Sequence, residues 1–468
     1  MNPIAMTLLV GVMLIAFAFS ASRRMKLLLS GAPESGRFDR LWDRITTAPG
    51  ERPPSAFGQV LVGLLLLAGV VAPVAAIVGL LAEGARTTAF NVAGVSAALA
   101  GALSLFWALR AQIKMPKYPL AGLAHFGIFV GFAVLTLRTV ILVGRSFSHD
   151  FNLWVLDPMG EGLIGVAGRT YNHLKDIVVL TVLFGVLTFV RFRLLDKMKR
   201  LAYGWHAWVV LGVIGTMMLA DVLYDAGDML ASALNFGTNV SGVIASTAAD
   251  RGEILGSLVA RALYAMGVTN EGTAHALGYT GYWVHVFLVF AFLNYLPYGK
   301  HFHVIASLPN VLARNLDPPG RLKPMAETAD GLMEKMGAAM ELADATAAPI
   351  GTARMNHFTW KAILDFYTCT ECGRCSDNCP AHRTGKLLSP KHLTIDLRDH
   401  LYEIQSDVIK MTPAAEKKRD GEAKPDGEAA ATDAAATPAP GPFSVNLVPD
   451  VIHPDVLWAC TTCRACEE

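Results

Sequence analysis

Seven stretches of roughly twenty apolar residues run through this chain, at about 3–20, 57–82, 89–109, 119–143, 173–194, 203–223 and 279–298. Each is about long enough to cross the hydrocarbon core of a bilayer. Backbone in that core must satisfy its own hydrogen bonds, so the predicted fold is an all-α polytopic membrane helix bundle of about 7 spans. Composition agrees: 53% of the 468 residues are hydrophobic and only 17% charged, against about a quarter charged in soluble domains. A formal net charge of +1 supplies no electrostatic footprint for a nucleic-acid partner.

The connecting segments give an orientation. Lys and Arg gather after the first stretch (Arg23, Arg24, Lys26), the third (Arg110, Lys114, Lys117), the fifth (Arg191, Arg193, Lys197, Lys199, Arg200) and the seventh (Lys300, Arg314). Positive charge on alternate loops places the N-terminus outside and the C-terminus in the cytoplasm of a cell whose inner membrane holds the bundle.

All seven cysteines lie in two C-terminal runs. Cys369, Cys372, Cys375 and Cys379, followed by Pro380, reproduce the bacterial ferredoxin ligand run, in which three thiolates hold one 4Fe–4S cube and the fourth reaches a second. Cys460, Cys463 and Cys466 form the other run. Crossed ligation makes Cys379 complete the cube of the second run, while Cys369, Cys372 and Cys375 lack a fourth thiolate. The position four after Cys466 would supply it, and the sequence given stops two residues after Cys466. A C-terminal truncation is the simplest expectation, with a three-iron cluster or a non-cysteine ligand as alternatives. Zinc is a weaker alternative, since zinc knuckles use two separated Cys-x2-Cys pairs.

Histidines inside spans are costly and therefore candidates for function. His125 lies in the fourth stretch and His285 in the seventh, with His301 and His303 just beyond. If one helix ran from His285 to His303 they would stand about 27 Å apart, one near each leaflet. His125 then shares the depth of His303 or His301, so a bis-histidine haem fits on the cytoplasmic side. His301 and His303 read equally as interfacial residues, with Pro297 able to break the helix before them. His173 is the one evident partner for His285. His206, between Trp205 and Trp208, reads as part of an aromatic belt. Arg138 reads as a snorkelling anchor or a haem-propionate partner, and Asp221 and Asp225 as the boundary of the sixth span.

The remainder divides simply. Residues 1–118 are the N-terminal spans, 119–305 the haem-bearing membrane domain, 306–355 a cytoplasmic connector with a helix near 325–346, and 356–468 the ferredoxin-like cytoplasmic domain. The loop 224–278 reads as a partly helical external flap, with a quinone-site cover as the sharper alternative. Residues 412–442 carry no large apolar side chain and are predicted to be disordered.

Pro119-Leu-Ala-Gly-Leu-Ala-His125-Phe-Gly-Ile-Phe and Trp283-Val-His285, with Phe-Leu-Asn-Tyr-Leu-Pro-Tyr-Gly-Lys-His301-Phe-His303 after it, resemble the membrane part of heterodisulfide-reductase-related (Fe–S)-binding proteins. Cys379-Pro-Ala-His-Arg-Thr-Gly-Lys386, Ser389-Pro-Lys and Asp396-Leu-Arg-Asp-His400-Leu are similar to the segment between their two cluster motifs. The resemblance implies a nitrate-reductase-gamma-like domain with haem b joined to a heterodisulfide-reductase-D-like part. It implies electron flow between a cytoplasmic donor, such as electron-transfer flavoprotein, and menaquinone or ubiquinone. Only His125 of two expected histidines is present on its helix, so one haem on His125 and His303 is favoured over two. The family's Cys-Cys-Gly modules are absent from the sequence given. A membrane oxidoreductase relaying electrons to quinone is therefore the leading expectation. The rival is a non-catalytic anchor and electron conduit for a separate catalytic subunit.

Overall fold

The computed structural model describes residues 2–46, 115–153, 156–201, 204–237, 239–316, 324–326, 328–342, 348, 351–410 and 441–466. By internal contacts the chain forms two units. One comprises Met1–Phe17, Leu41–Met198 and Tyr203–Tyr295; the other comprises Ala18–Arg40, Lys199–Ala202 and Leu296–Glu468.

The first unit is built from long apolar helices. Helix α1 (Pro3–Leu29) gives it only its first half. It also holds α2 (Pro119–Arg145), α3 (Leu163–Leu194), α4 (Trp205–Asn235), α5 (Val240–Arg251), α6 (Ile254–Ala265) and α7 (Glu271–Tyr295). Among the described residues, five helices are long and apolar enough to cross a membrane: α1, α2, α3, α4, and α7 with the turn that extends it to Tyr298. These carry five of the seven expected stretches; 57–82 and 89–109 lie outside the described residues.

Small residues let these helices approach closely, which is the usual packing device between apolar helices. A Cβ on Gly131 of α2 would stand 2.2 Å from Val182 Cγ2 of α3, and one on Gly281 of α7 would stand 2.6 Å from the Ala220 carbonyl of α4. The helices also run past the apolar stretches that announce them. Helix α3 begins ten residues before 173, and α4 continues twelve past 223, because polar residues in or next to those extensions face protein: Asn172, Lys175, Asp176, Asp221 and Asp225 are all buried. The 224–278 segment, expected to be partly helical, is helical over most of its length. It is the end of α4, all of α5 and α6, and the start of α7.

The second unit packs the last turns of α1 with the C-terminal part of the chain. Its core gathers Leu27, Phe302, Met355, Tyr367, Leu401 and Leu447. Its helices are α8 (His303–Leu312), α9 (Ala329–Met340), α10 (Trp360–Thr368), α11 (Arg374–Asn378), α12 (Pro380–Arg383), α13 (Pro390–Glu403), α14 (Gln405–Lys410) and α15 (Pro454–Trp458). Caps fix the starts that matter: Thr359 Oγ1 accepts the Ala362 N–H at 3.3 Å, and Ser389 Oγ accepts that of His392 at 3.4 Å. Pro390 opens α13 where a missing N–H costs nothing. Among the described residues, extended pairing is limited to one bridge between Ala32 and Thr359. The 412–442 insert falls almost wholly on 411–440, outside the described residues.

Candidate redox site

Helix α10 delivers the first cysteine run and stops at it, with Cys369 as its C-cap. Two left-handed residues then flank the middle cysteine: Glu371 at φ 56° and Gly373 at φ 76°. The second run repeats this, with Thr462 at φ 53° and Arg464 at φ 60° around Cys463. Left-handed backbone is costly for Glu, Thr and Arg. Its recurrence at equivalent places shows one loop design used twice. Alternating handedness turns successive N–H groups to one side and makes a concave site for a negative group, which suits an iron–sulfur body.

None of the seven cysteines is in a disulfide. Cys369, Cys372 and Cys375 are half-buried, Cys379 is buried, and the second run is exposed. Burial pushes the Cys369 and Cys375 thiols up. Burial acts on Cys372 too, but the backbone N–H and guanidinium of Arg374 outweigh it and hold that thiol below its ordinary value. Arg374 Nε–H stands 3.4 Å from Cys372 Sγ, and the Thr462 N–H is 3.4 Å from Cys460 Sγ. N–H contacts of this kind tune cluster sulfurs. Among the described residues no three His, Cys, Asp or Glu side chains close on one point as a single ion requires; the thiolates around a cubane stand further apart.

Cys379 caps α12, with Pro380 as its first residue, and joins Ala381 and Leu388 in a small buried cluster. Val456 and Ala459 pack against that cluster. Ala459 immediately precedes Cys460, so the fold sets Cys379 beside the root of the second run. The residues present fit thiolate ligation of iron–sulfur clusters.

The histidine segment belongs to the same unit. Helix α7 ends at Tyr295, a tight turn follows through Leu296–Tyr298, and Gly299 is extended (φ −139°, ψ −178°) before His303 opens α8. One straight helix from His285 to His303 is thus corrected; Pro297 lies in the break. His303 Nδ1 donates to the Lys300 carbonyl at 2.9 Å. Because a carbonyl only accepts, the lone pair resides on Nε2, the arrangement ligating imidazoles adopt. Burial pushes His303 down, towards the neutral form a metal needs. The His301 ring is 6.1 Å away. His303 therefore fits axial ligation of haem iron.

The segment also touches the first cysteine loop. Lys300 Nζ is 3.4 Å from Glu371 Oε2, and Phe302 meets Tyr367 edge to face at 5.3 Å. Arg398 Nη2 donates to Glu371 Oε1 at 2.9 Å. Despite burial, Lys300 and Arg398 hold the Glu371 carboxyl below its ordinary range. Sequence reasoning missed these three residues. Glu371 sits inside the ligand run, but its cations lie 71 positions before and 27 after.

In the first unit, His125 is half-buried on α2. His206 bonds the Tyr295 hydroxyl and stacks on Trp205 at 3.9 Å, more than a belt position demands. His173 is exposed, whereas His285 is 1% exposed with Nδ1 donating to the Met217 carbonyl at 3.2 Å. The expectations for Arg138, Asp221 and Asp225 are corrected. Arg138 is 1% exposed and pairs with Asp221 at 2.9 Å and also with Asp225, which binds Lys175 in turn. A guanidinium committed to two carboxylates inside the bundle neither snorkels nor awaits a propionate.

The chain is 30% identical over 361 residues to "Probable iron-sulfur-binding oxidoreductase FadF" of Bacillus subtilis, covering 76% of this chain and 45% of the relative. It is 28% identical over 361 residues to "EtfAB:quinone oxidoreductase" of Syntrophomonas wolfei, covering 76% of this chain and 44% of the relative. A "Probable membrane-anchored ferredoxin" of Chromohalobacter salexigens shares 35% over 133 residues, 28% of this chain and 17% of the relative. The chain thus spans less than half the length of these relatives. No family model matches it, and no solved structure does.

Proposed function

We propose that this chain is a membrane-bound electron-transfer protein, passing electrons between a cytoplasmic donor and membrane quinone through 4Fe–4S clusters and haem b. One observation carries this: the Lys300–Glu371 pair draws the His301–His303 segment against the first cysteine loop within one compact unit. Electron transfer needs that nearness, and the cofactors supply the chemistry while the protein positions and tunes them.

Cys460, Cys463, Cys466 and Cys379 hold one complete cluster on this account, and Cys369, Cys372 and Cys375 hold three corners of another. His303, whose ring lies 6.1 Å from that of His301, takes an axial position of one haem b. The cysteine unit faces the cytoplasm of a cell whose inner membrane carries α1–α4 and α7. The name of the Syntrophomonas wolfei relative supports electron-transfer flavoprotein as donor and quinone as acceptor.

The test is anaerobic turnover of the full chain with reduced electron-transfer flavoprotein and a short-chain menaquinone analogue. Quinone-dependent reoxidation of the flavoprotein, lost in Cys372→Ala, is expected. Cluster reduction without quinone reduction would contradict it.

A further inference from the structure

Arg24, near the end of α1, is 6% exposed. Its neighbours Arg23 and Lys26 are half-buried and exposed, as a positive loop at a membrane face requires, whereas Arg24 turns inward. Every partner it finds there is neutral. Nε donates to the Pro297 carbonyl at 2.8 Å and Nη1 to Gln405 Oε1 at 2.6 Å. The guanidinium carbon lies 3.6 Å from the centre of the Tyr402 ring. Among the described residues no carboxylate pairs with it. Guanidinium groups stay charged in protein interiors, and a buried charge without a counter-charge is strongly unfavourable. The face of Tyr402 offsets only part of that cost.

The residues around Arg24 lead to both halves of the redox site. Tyr367 donates its hydroxyl to the Arg24 carbonyl at 3.0 Å and stands two residues before Cys369. The Tyr367 ring lies 6.1 Å from that of Tyr402 and 5.3 Å from that of Phe302, which separates His301 from His303. Pro297, held by Nε, lies in the break that leads to the same segment. All of these residues belong to one unit.

The local charge count is unbalanced in the same sense. Glu371 and Asp399 are both held by Arg398, and Glu371 by Lys300 as well. Three cations thus meet two carboxylates, even before Arg374 at Cys372 is counted. The negative charge that is short has a source in Cys369, Cys372 and Cys375. Cysteine binds metal as the thiolate, and each electron taken up by what these thiolates hold adds a further negative charge.

We propose that Arg24 is the built-in counter-charge of the first cysteine loop, a positioning residue whose unpaired guanidinium stabilises an electron held there and raises the reduction potential of that cluster. Arg24 gives and takes neither electron nor proton; the electron passes through the cluster while the guanidinium keeps its charge. The cysteines of the second run are exposed, where water and salt screen charge, so their cluster gains little from Arg24. What the raised potential is for rests on the electron-transfer function proposed above; the shift itself does not.

The test is a redox titration followed by EPR on the anaerobically purified full chain, comparing wild type, Arg24→Gln, Arg24→Lys and Gln405→Glu. The first cluster's signal is the one that Cys372→Ala removes. Arg24→Gln should make its reduction about tenfold less favourable, about 59 mV lower for a one-electron couple, and leave the second signal in place. Arg24→Lys keeps the charge and should titrate with wild type. Gln405→Glu sets a carboxylate against Nη1 and supplies the missing counter-ion, so it should raise Tm and yet lower the same potential. A residue that only packs would move no potential in any of these variants. An unmoved first-cluster potential in Arg24→Gln overturns the proposal, and so does an equal fall in Arg24→Lys. Should Arg24→Gln fail to fold, an unmoved potential in Gln405→Glu overturns it alone. Wild-type clusters that reduce but never pass an electron to quinone would instead strike the electron-transfer function and leave the shift standing.

Discussion

Lys300 Nζ lies 3.4 Å from Glu371 Oε2, and this contact joins a segment bearing two candidate haem ligands to the loop bearing three candidate cluster ligands. Glu371 stands between Cys369 and Cys372, so its charge acts on whatever those thiolates hold. Lys300→Ala leaves Arg398 to neutralise it alone. Losing about 1 kcal/mol of attraction between the Lys300 charge and the added electron is, for a one-electron couple, roughly 40 mV. The first cluster should become harder to reduce by about that amount, read by redox titration with EPR. An unchanged potential would show that Glu371 does not face the cluster.

Cys379 belongs to the buried cluster against which Val456 and Ala459, at the root of the second run, pack. Cys379→Ala should remove the cluster held by Cys460, Cys463 and Cys466 and spare the first. Iron and sulfide analysis with low-temperature EPR distinguishes this from loss at the first run. Two intact clusters in the variant would dismiss crossed ligation.

Arg138 answers both Asp221 and Asp225. Arg138→Ala leaves two buried carboxylates without their shared cation, a change that costs about 3–5 kcal/mol. A sharply lowered Tm in detergent, with the cysteine clusters still present in surviving protein, is the expected result.

His149 Nε2 stands 3.5 Å from Asp228 Oδ1, and its hydrogen bond to Asp228 raises the imidazole above its ordinary value against the opposing effect of burial. The sign follows from the raised folded value. The contact stabilises fully below the unfolded value of about 6.5 and fades as pH rises through the folded one. The ring is more than half exposed, so the effect is small. His149→Gln should flatten this part of a Tm-against-pH profile; a profile identical to wild type would remove the contact's role.

What could be read in the sequence depended on how local each signal was. Cysteine spacing is local, and the loops at Cys369 and Cys460 carry matching left-handed residues beside their middle cysteines. Apolar length is local too, and it found α2 and the central parts of α3 and α4. The far end of α4 was missed because Asp221 and Asp225 look like a water-facing boundary until Arg138 and Lys175 of other helices pair them. Arg138 was misread for the same reason, its partners lying 83 and 87 positions away. Pro297 signalled the break that the straight-helix ruler from His285 to His303 left out, and the alternative reading of His301 and His303 already allowed for it.

Haem content of the anaerobically purified full chain, wild type beside His303→Ala, tests the central claim most directly. A dithionite-minus-oxidised spectrum with pyridine haemochrome quantitation should show b-type haem at about one per chain, with its axial nitrogens supplied by imidazole. His303→Ala should lose that haem and keep its iron–sulfur signals. Haem absent from fully matured wild type, or retained in the variant, would contradict a relay running from the cysteine loops through His303.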